Sequence, residues 1–465
     1  MTSARKGRPM FRRLLLAAGA ALLAAPAGAA AFRLPPHTKT TLENGLTVIV
    51  MPTRRLPLVD FRLVARAGAV NDPAGKEGLA GLTAELLTQG AGTRDARQIA
   101  EDIAFVGGTL DASAATEQVV VTCEVLRKDF AAGLELFSDV IARPTFPEAE
   151  FKRKQSETLG AIAAQKDDPG TVANNELGPF LMGESPLAHP VIGYAKTVGA
   201  LTRDDVVAFH KRFLVPDRCI LAVVGDVDAK AVLAALRRAF ADWKPSGEEP
   251  ADSYAPLPRD GGRQVLIVSK PEVTQSQIRL ACGGVPRNHP DYFAITVANT
   301  ILGGGFTSRL VNEIRVNQGL TYGVSSRWGM HRNAGTFTIS TFTRNEKLRK
   351  AVDATLGVVK QLVDEGPTEP ELAKARRYLT GLYPLGLQAP DALATQLATV
   401  EFYGLPSDYI ETYTGRIEAV TMADVKRVLK ERFCTDDLKL LVVSNPKTAQ
   451  ESLAGLGPIK VKEME

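Results

Sequence analysis

Residues 68–94 read GAVNDPAGKEGLAGLTAELLTQGAGTR, and this stretch predicts a short helix packed into a core. Leu79, Leu82 and Leu86 recur at intervals of three and four residues, which places them on one face of a helix. The turn residues Asp72-Pro73 precede the periodic part, and Gly92-Thr93 follow it. The stretch therefore predicts a helix that packs through an apolar stripe.

Outward from this helix, the chain repeats itself at an interval near 220 residues. Val48–Phe61 is similar to Val265–Ile278, at an offset of 217. The sequence EFKR at 150 is matched by ELAK at 371, and TRDDVV at 202 by TMADVK at 421. Each of the last two leads through a helical stretch to a strand-like run, CILAVVGD or LKLLVVSN. A period of this size is too long for a solenoid and predicts two homologous domains.

The predicted organisation is a leader at residues 1–31, two domains at 32–243 and 263–465, and a linker at 244–262. The linker is rich in Pro, Gly and charged residues, a composition typical of a connection between domains. Within each half, helical and strand patterns are mixed without strict alternation. The clearest are a strand at Val119–Val125 and helices at Phe130–Ile141, Phe151–Ala164 and Asp204–Phe213. The fold class is therefore α+β, with two duplicated α/β-sandwich domains.

The composition and charge of the first 31 residues indicate that the protein is exported. The chain has 465 residues and a formal net charge of +4, but residues 1–31 hold five cations and no acid. The rest carries 51 basic and 52 acidic residues, which gives no reason to expect nucleic-acid binding. The run Leu14–Ala25 and the small residues after Pro26 predict a cleaved signal peptide and a periplasmic protein, by the general or the twin-arginine route. The alternative, an uncleaved membrane anchor, is disfavoured because the run is short.

The four cysteines are widely spaced. Cys123, Cys219 and Cys282 lie in strand-like runs, and no pair has the CxxC spacing. Buried free thiols are the favoured interpretation for them and for Cys434, with a disulfide or a metal site as the alternative.

The helix at 79–86, in this duplicated setting, resembles the zinc-motif helix of the M16 metallopeptidases (the pitrilysin, insulinase and processing-peptidase group). Members of that family read G-x-A-H-x-x-E-H here, and Gly78-Leu79-Ala80 fit the frame. The resemblance places the two zinc-binding histidines at Gly81 and Glu85, the general base at Ala84 and the distal carboxylate ligand at Ala161. Glycine and alanine offer no ligand atoms, so the resemblance implies a degenerate site.

The histidine count tests this alignment. The chain has five histidines, at 37, 189, 210, 289 and 331, so none lies between 38 and 188. No shift of register can place a histidine on this helix. The sequence therefore predicts no metal and no cofactor in this chain, and the other histidines are interpreted as surface or hydrogen-bonded side chains.

A second segment, Ile301–Val324, reads ILGGGFTSRLVNEIRVNQGLTYGV. It resembles the part of M16 C-terminal domains that supplies an arginine and a tyrosine to the active site, and the matching residues are Arg315 and Tyr322. We expect a helix at Ser308–Gln318 ended by Gly319, with Arg315 in its last turn and Tyr322 on the following strand. Arginine can hold peptide carbonyls, and a tyrosine hydroxyl can donate to an oxyanion.

Structural roles are the alternative for this segment: a cation at a helix C-terminus and a strand aromatic. Gly303, Gly304 and Gly305 form its glycine-rich loop, but neither phosphate-binding glycine motif is present.

The resemblance implies a zinc-free subunit of a heterodimeric metalloendopeptidase. Such a chain is inactive alone and pairs with an HxxEH-bearing subunit, which holds the zinc, while Arg315 and Tyr322 contribute to binding a peptide or unfolded segment. The alternative is a scaffold or peptide-binding pseudopeptidase with no catalytic role. A hydrolase with some other site is a weaker possibility, since no G-x-S-x-G motif is present.

Overall fold

The computed structural model describes residues 33–247, 254–257 and 262–463. The predicted signal peptide at 1–31 and much of the predicted linker lie outside the described residues. Within the described part of the chain, no helix is long and apolar enough to cross a membrane.

The first half forms a six-stranded sheet in the order β1-β2-β8-β3-β7-β6, with a separate two-stranded ribbon β4-β5. The strands are β1 (Thr38–Thr41), β2 (Thr47–Pro52), β3 (Leu58–Ala65), β4 (Gly90–Ala91), β5 (Arg94–Asp95), β6 (Thr109–Ala114), β7 (Val119–Leu126) and β8 (Cys219–Gly225). The helices are α1 (Leu79–Leu86), α2 (Ala96–Phe105), α3 (Phe130–Ala142), α4 (Glu148–Gln165), α5 (Pro169–Met182), α6 (Ala195–Ala200), α7 (Arg203–Phe213) and α8 (Ala229–Ala239).

The second half also forms a six-stranded sheet, in the order β11-β12-β10-β13-β9-β14. Its strands are β9 (Val265–Ser269), β10 (Gln275–Gly283), β11 (Val324–Met330), β12 (Gly335–Arg344), β13 (Lys439–Ser444) and β14 (Ile459–Glu463). Its helices are α9 (Tyr292–Asn299), α10 (Leu348–Glu365), α11 (Glu369–Leu382), α12 (Pro390–Phe402), α13 (Tyr409–Ala419), α14 (Met422–Arg432) and α15 (Pro446–Leu453).

The two sheets have the same topology. Strands β2, β8, β3, β7 and β6 of the first correspond in order to β9, β13, β10, β12 and β11 of the second. In both, the first of these strands pairs in parallel with the second, and the remaining pairs are antiparallel. The sheets differ at one edge, where β1 pairs antiparallel with β2 and β14 pairs in parallel with β9. The duplicated α+β architecture predicted from the repeat is confirmed.

Each half places its own helices on one face of its sheet and receives a helix of the other half on the opposite face. Helix α5 packs on β10 and β13, where Val172 and Ala173 join a core with Leu441 and Val443. Helix α12 packs on β3 and β8. These two helices occupy equivalent places in the repeat, so the exchange is reciprocal. The halves therefore interlock.

A disulfide bond joins Cys282 on β10 to Cys434, just after α14. The expectation of free thiols is wrong for these two residues. Their Cα atoms lie 6.5 Å apart although 152 positions separate them in sequence, and spacing alone gave no sign of this proximity. Cys123 and Cys219 are buried free thiols, as predicted.

Candidate functional site

Helix α1 lies where the degenerate zinc motif was predicted, and its apolar side chains pack into the core. Leu79, Leu82 and Leu86 are all buried, which confirms the predicted apolar stripe. Asp72 fixes the start of the helix by accepting hydrogen bonds from the backbone N–H groups of Gly78 and Ala80, each at 2.8 Å. Burial raises the pKa of Asp72 to about 7 in spite of these two donors.

The first motif position, Gly81, is covered by the segment 190–193. A Cβ atom at Gly81 would lie 2.8 Å from the backbone oxygen of Val191, closer than van der Waals contact permits. Ala84, at the position of the general base, is fully buried among apolar side chains. Neither position has room for a larger ligand or acid.

The remaining motif positions lie on a charged surface. Glu85 is about half exposed, at 49%, and its carboxylate lies 3.8 Å from the Lys154 ammonium group of α4. The same ammonium group lies 3.2 Å from the Glu157 carboxylate. Ala161, one helical turn after Glu157 on α4, is exposed. A lysine thus supplies the positive charge between the two carboxylates.

These residues do not fit a zinc ion. Zinc in a catalytic site needs three protein ligands, usually with nitrogen donors, and this surface offers two carboxylates already paired with a lysine. Across residues 33–247, 254–257 and 262–463, no group of three or more His, Cys, Asp or Glu side chains could hold a metal ion.

Beside α1 lies an exposed sheet edge. Strand β6 is the last strand of the first sheet, and it contacts α1. Its residues alternate between exposed and part-buried, and the part-buried Leu110, Ala112 and Ala114 pack against the core of the first half. An edge strand of this kind presents unpaired backbone groups to which an extended peptide can add.

The three glycines predicted to form a loop lie at the end of a π-helical turn, Thr300–Gly304, which includes Gly303 and Gly304 and is followed by Gly305. A second π-helical turn spans Val311–Asn317. Gly303 packs against β11 so closely that a Cβ atom would lie 2.6 Å from the backbone nitrogen of Ser326. Asn299 secures this contact through its side chain, which bonds the backbone oxygen and the hydroxyl of Ser326. Gly304 is exposed and Gly305 half-buried, so the segment opens to solvent beyond Gly303. π-Helical turns are rare and occur mostly at functional sites.

The predicted helix at Ser308–Gln318 differs in two ways from expectation. Most of it is π-helical, because Gln318 donates its backbone N–H to Glu313, five residues back, at 3.0 Å. Gly319 ends it with a φ of 58°, the left-handed conformation that was predicted. Tyr322 lies two residues before β11 rather than on it, because the strand begins at Val324.

Arg315 and Tyr322 are both available to a ligand. The Arg315 guanidinium lies 4.8 Å from the centroid of the Phe306 ring, and neither Arg315 nor Tyr322 has a hydrogen-bond or ion-pair partner within the described part of the chain. Tyr322 is 82% exposed and Phe306 is 76% exposed. Val316, in the same segment, is also exposed.

The neighbouring Arg309 has a structural role. It donates two hydrogen bonds, of 2.7 and 2.9 Å, to the carboxylate of Glu371 at the start of α11. This pairing lowers the pKa of Glu371 to about 2. Arg309 therefore anchors the segment, while Arg315 remains free to contact other molecules.

Two family profiles match adjacent parts of this chain. The profile for insulinase (peptidase family M16) matches residues 49–194, and that for the peptidase M16 inactive domain matches residues 200–379. The chain belongs to peptidase family M16. The resemblance inferred from the motif segments is confirmed.

Curated relatives of this M16 chain span nearly its whole length. It is 29% identical over 408 residues to an uncharacterized zinc protease of Mycobacterium tuberculosis, covering 87% of this chain and 92% of that protein. It is 27% identical over 431 residues to an uncharacterized zinc protease of Streptomyces coelicolor, covering 91% and 90%.

Solved structures agree with the M16 fold. A peptidase M16 inactive domain from Pseudomonas fluorescens is 29% identical, with a TM-score of 0.83 over 88% of this chain and 98% of that one. A protease from Helicobacter pylori is 20% identical, with a TM-score of 0.82 over 88% and 100%, and shows the fold alone.

Sequence reasoning missed two features of this M16 chain. It did not identify Lys154 and Glu157, although their spacing of three residues on a predicted helix signals an ion pair. It also passed over Phe306, whose contact with Arg315 depends on the loop conformation and leaves no sequence signal.

Proposed function

We propose that this chain is the zinc-free subunit of a heterodimeric M16 metalloendopeptidase of the periplasm. Its partner carries the HxxEH motif and the zinc. This chain contributes Arg315 and Tyr322, which bind the peptide and stabilise the oxyanion in the partner's active site. The pair cuts peptides or unfolded segments.

The observation that carries this proposal is the contrast between the two motif segments. The zinc positions are occupied by packing residues and by a lysine-centred ion pair, whereas Arg315 and Tyr322 have no hydrogen-bond or ion-pair partner among the described residues. An exposed tyrosine without a hydrogen bond contributes little to folding. The exposure of Tyr322, in the same segment as an arginine available for hydrogen bonding, is explained by contact with another molecule.

The disulfide supports the periplasmic part of the proposal. Disulfides form and persist in oxidising compartments and are rare in the cytosol. The Cys282–Cys434 bond is therefore what an exported protein would carry.

The test is reconstitution with an HxxEH-bearing M16 protein encoded by the same genome. Alone, the purified chain should hold no stoichiometric zinc and show no peptidase activity. With the partner, activity should appear, and Arg315→Ala or Tyr322→Phe should lower kcat by about 10²-fold or more, the loss typical of an oxyanion donor. Zinc content, gel filtration and peptide cleavage are the measurements.

Matched controls come from the same half. Arg327→Ala changes an exposed arginine on β11, and Tyr378→Phe changes a half-exposed tyrosine on α11. Both should leave the reconstituted activity unchanged. Full activity of the Arg315 and Tyr322 variants would refute their role. A chain that binds peptide but never yields activity with any HxxEH protein would instead be a peptide-binding pseudopeptidase.

A further inference from the structure

Strand β12 carries two buried threonines on a face whose other buried side chains are apolar. The buried side chains alternate along the strand, from Phe337 and Ile339 to Thr341 and Thr343. Thr341 is 3% exposed and Thr343 is 2% exposed. A buried hydroxyl group is costly unless it forms a hydrogen bond, and a valine would fill nearly the same space without one. The role of these two positions therefore depends on what their hydroxyl groups contact.

The equivalent strand of the first half has no hydroxyl group on its buried face. Strands β3 and β10 are equivalent in the repeat, at an offset of 217. Their pairing partners place Cys123 and Val125 of β7 where Thr341 and Thr343 lie in β12. The buried face of β7 consists of Val119, Val121, Cys123 and Val125. At these two positions, hydroxyl groups therefore occur only in the half that carries Tyr322.

The two threonine hydroxyl groups bond the backbone on either side of Tyr322. The Thr343 hydroxyl donates to the carbonyl oxygen of Leu320 at 2.7 Å, and the Thr341 hydroxyl donates to that of Gly323 at 3.0 Å. The pairing of β11 with β12 begins only at residue 324. The hydroxyl groups thus hold a piece of backbone that the pairing of these strands does not reach.

The Leu320 backbone is fixed at both of its polar groups. Its N–H donates to the carbonyl oxygen of Ile314 at 2.9 Å, while its carbonyl oxygen accepts from Thr343. Ile314 is fully buried and Leu320 is 8% exposed, so these bonds lie in the core. Tyr322, two residues later, is 82% exposed. An exposed tyrosine side chain is therefore carried on backbone that is anchored in the core.

From these contacts we propose that Thr341 and Thr343 are positioning residues for Tyr322. They fix the backbone that presents the tyrosine, so its hydroxyl group meets the substrate already oriented. A misplacement of about 1 Å at a reacting centre can cost a factor of about 10² in rate, which is why such a group needs a rigid support. The inference rests on the function proposed above and deepens it, since it names buried residues on which the exposed tyrosine depends.

Kinetics of the reconstituted pair test this positioning. Thr343→Val keeps the size of the side chain and removes its hydroxyl group, so it should lower kcat by about tenfold and change KM by less than about twofold. Thr343→Ser keeps a hydroxyl donor and should recover kcat to within about twofold of wild type. Thr341→Val should cause a smaller loss than Thr343→Val, since the Gly323 carbonyl also accepts from the Thr321 hydroxyl.

A double variant and a matched control separate positioning from a general loss of stability. Because Thr343 acts through Tyr322, adding Thr343→Val to Tyr322→Phe should slow the reaction by at most about twofold more, whereas independent effects would multiply. Thr158→Val is the control: it removes another buried threonine hydroxyl, which bonds the carbonyl oxygen of Lys154 at 2.8 Å within α4. This control should lower the Tm slightly and leave kcat unchanged.

Hydrogen exchange of the chain alone measures the same support without a partner or activity. The amides of residues 319–324 should exchange at least about tenfold faster in Thr343→Val than in wild type, and Thr343→Ser should restore slow exchange. Exchange in the rest of the sheet should not change. Unchanged exchange in this segment would overturn the proposal, as would a loss of kcat that Thr343→Ser does not recover.

The outcomes also separate this inference from the proposed function. A large loss of kcat in Tyr322→Phe with normal kinetics in Thr343→Val would overturn the positioning role and leave the proposed function standing. Full activity of Tyr322→Phe would refute the proposed role of Tyr322. In that case the exchange measurement would still decide whether the threonines hold this backbone.

Discussion

Asp60 shows how a single residue can link this protein's stability to pH. It lies on β3, on the face that receives α12, and is only 3% exposed. Its Oδ1 atom has no hydrogen-bond partner among the residues that the structure describes. Burial raises its pKa to about 7; nearby Arg62 opposes the rise, and the carboxylates of Asp391 and Glu124 add to it. The native state therefore favours a protonated Asp60.

This raised pKa makes the free energy of unfolding depend on pH. Between pH 4 and pH 7 the unfolded chain releases this proton first, so the free energy of unfolding falls as the pH rises. Asp60→Asn removes this contribution. At pH 8 the variant should be more stable than wild type, by a few kcal/mol at most, and at pH 4 the two should be nearly equal. Urea unfolding at both pH values is the measurement, with Asp111→Asn on the exposed strand β6 as the control. Equal stability at pH 8 would show that Asp60 is ionised at little cost.

Gly81 and Ala84 determine whether the lost zinc site can be restored. A variant carrying Gly81→His, Ala84→Glu, Glu85→His and Ala161→Glu holds the full ligand set. It should nevertheless fail to bind zinc at one ion per chain, because the first side chain meets Val191 and the second buries a charge. We expect destabilisation by several kcal/mol, seen as a lower Tm.

The control keeps only the substitutions at accessible positions, Glu85→His and Ala161→Glu. It should melt close to wild type. Stoichiometric zinc in the four-residue variant, measured by plasma mass spectrometry, together with an unchanged Tm would contradict this account.

At the scale of elements, local sequence patterns predicted the helices well, whereas contacts between residues distant in sequence were not predicted. The predicted helix at Phe130–Ile141 is observed at Phe130–Ala142, because its apolar period is local. The π-helical turn at Val311–Asn317 was not predicted, since its residues suit an α-helix equally well and packing decides between the two. For the site, the sequence shows the loss of the zinc ligands. It does not show that Val191, about 110 residues away along the chain, packs over Gly81.

The disulfide ties a strand to a helix end. It closes a loop across 152 positions between β10 and the second residue after α14, and so restricts the unfolded chain. Reduction, or the double substitution Cys282→Ala with Cys434→Ala, should lower the free energy of unfolding by about 2–4 kcal/mol. Denaturant unfolding with and without reductant measures this. Cys123→Ala and Cys219→Ala leave the bond intact, so their stability should keep its response to reductant. If reductant left wild-type stability unchanged, the bond would be absent in solution.

At the scale of the whole molecule, a buried carboxylate joins equivalent hairpins of the two halves. Glu117, in the turn between β6 and β7, accepts hydrogen bonds from the backbone N–H of Arg332 at 3.0 and 3.2 Å. Its carboxylate also lies 3.1 Å from a ring nitrogen of His331 and bonds the hydroxyl of Tyr254, within the predicted linker. Together with the exchanged helices, this contact makes the two halves depend on each other.

That dependence predicts how the chain behaves when divided. Residues 32–243 expressed alone lack α12, so the faces of β3 and β8 that carry Val64, Ile220 and Val224 lose their cover. Residues 263–465 alone lose α5 from β10 and β13 in the same way. Each half alone should therefore expose apolar surface, bind the dye ANS and melt without cooperativity. Co-expressed, they should form a one-to-one complex that melts cooperatively.

A control distinguishes the effect of cutting the chain from the effect of losing the exchanged helix. A chain cut near residue 250 keeps both α5 and α12 in place, so it should melt near the temperature of the intact protein. Two halves that each unfolded cooperatively as monomers would show that the exchange is dispensable. In that case the reciprocal helices would be an interface between independent domains, and the two sheets could move apart without unfolding.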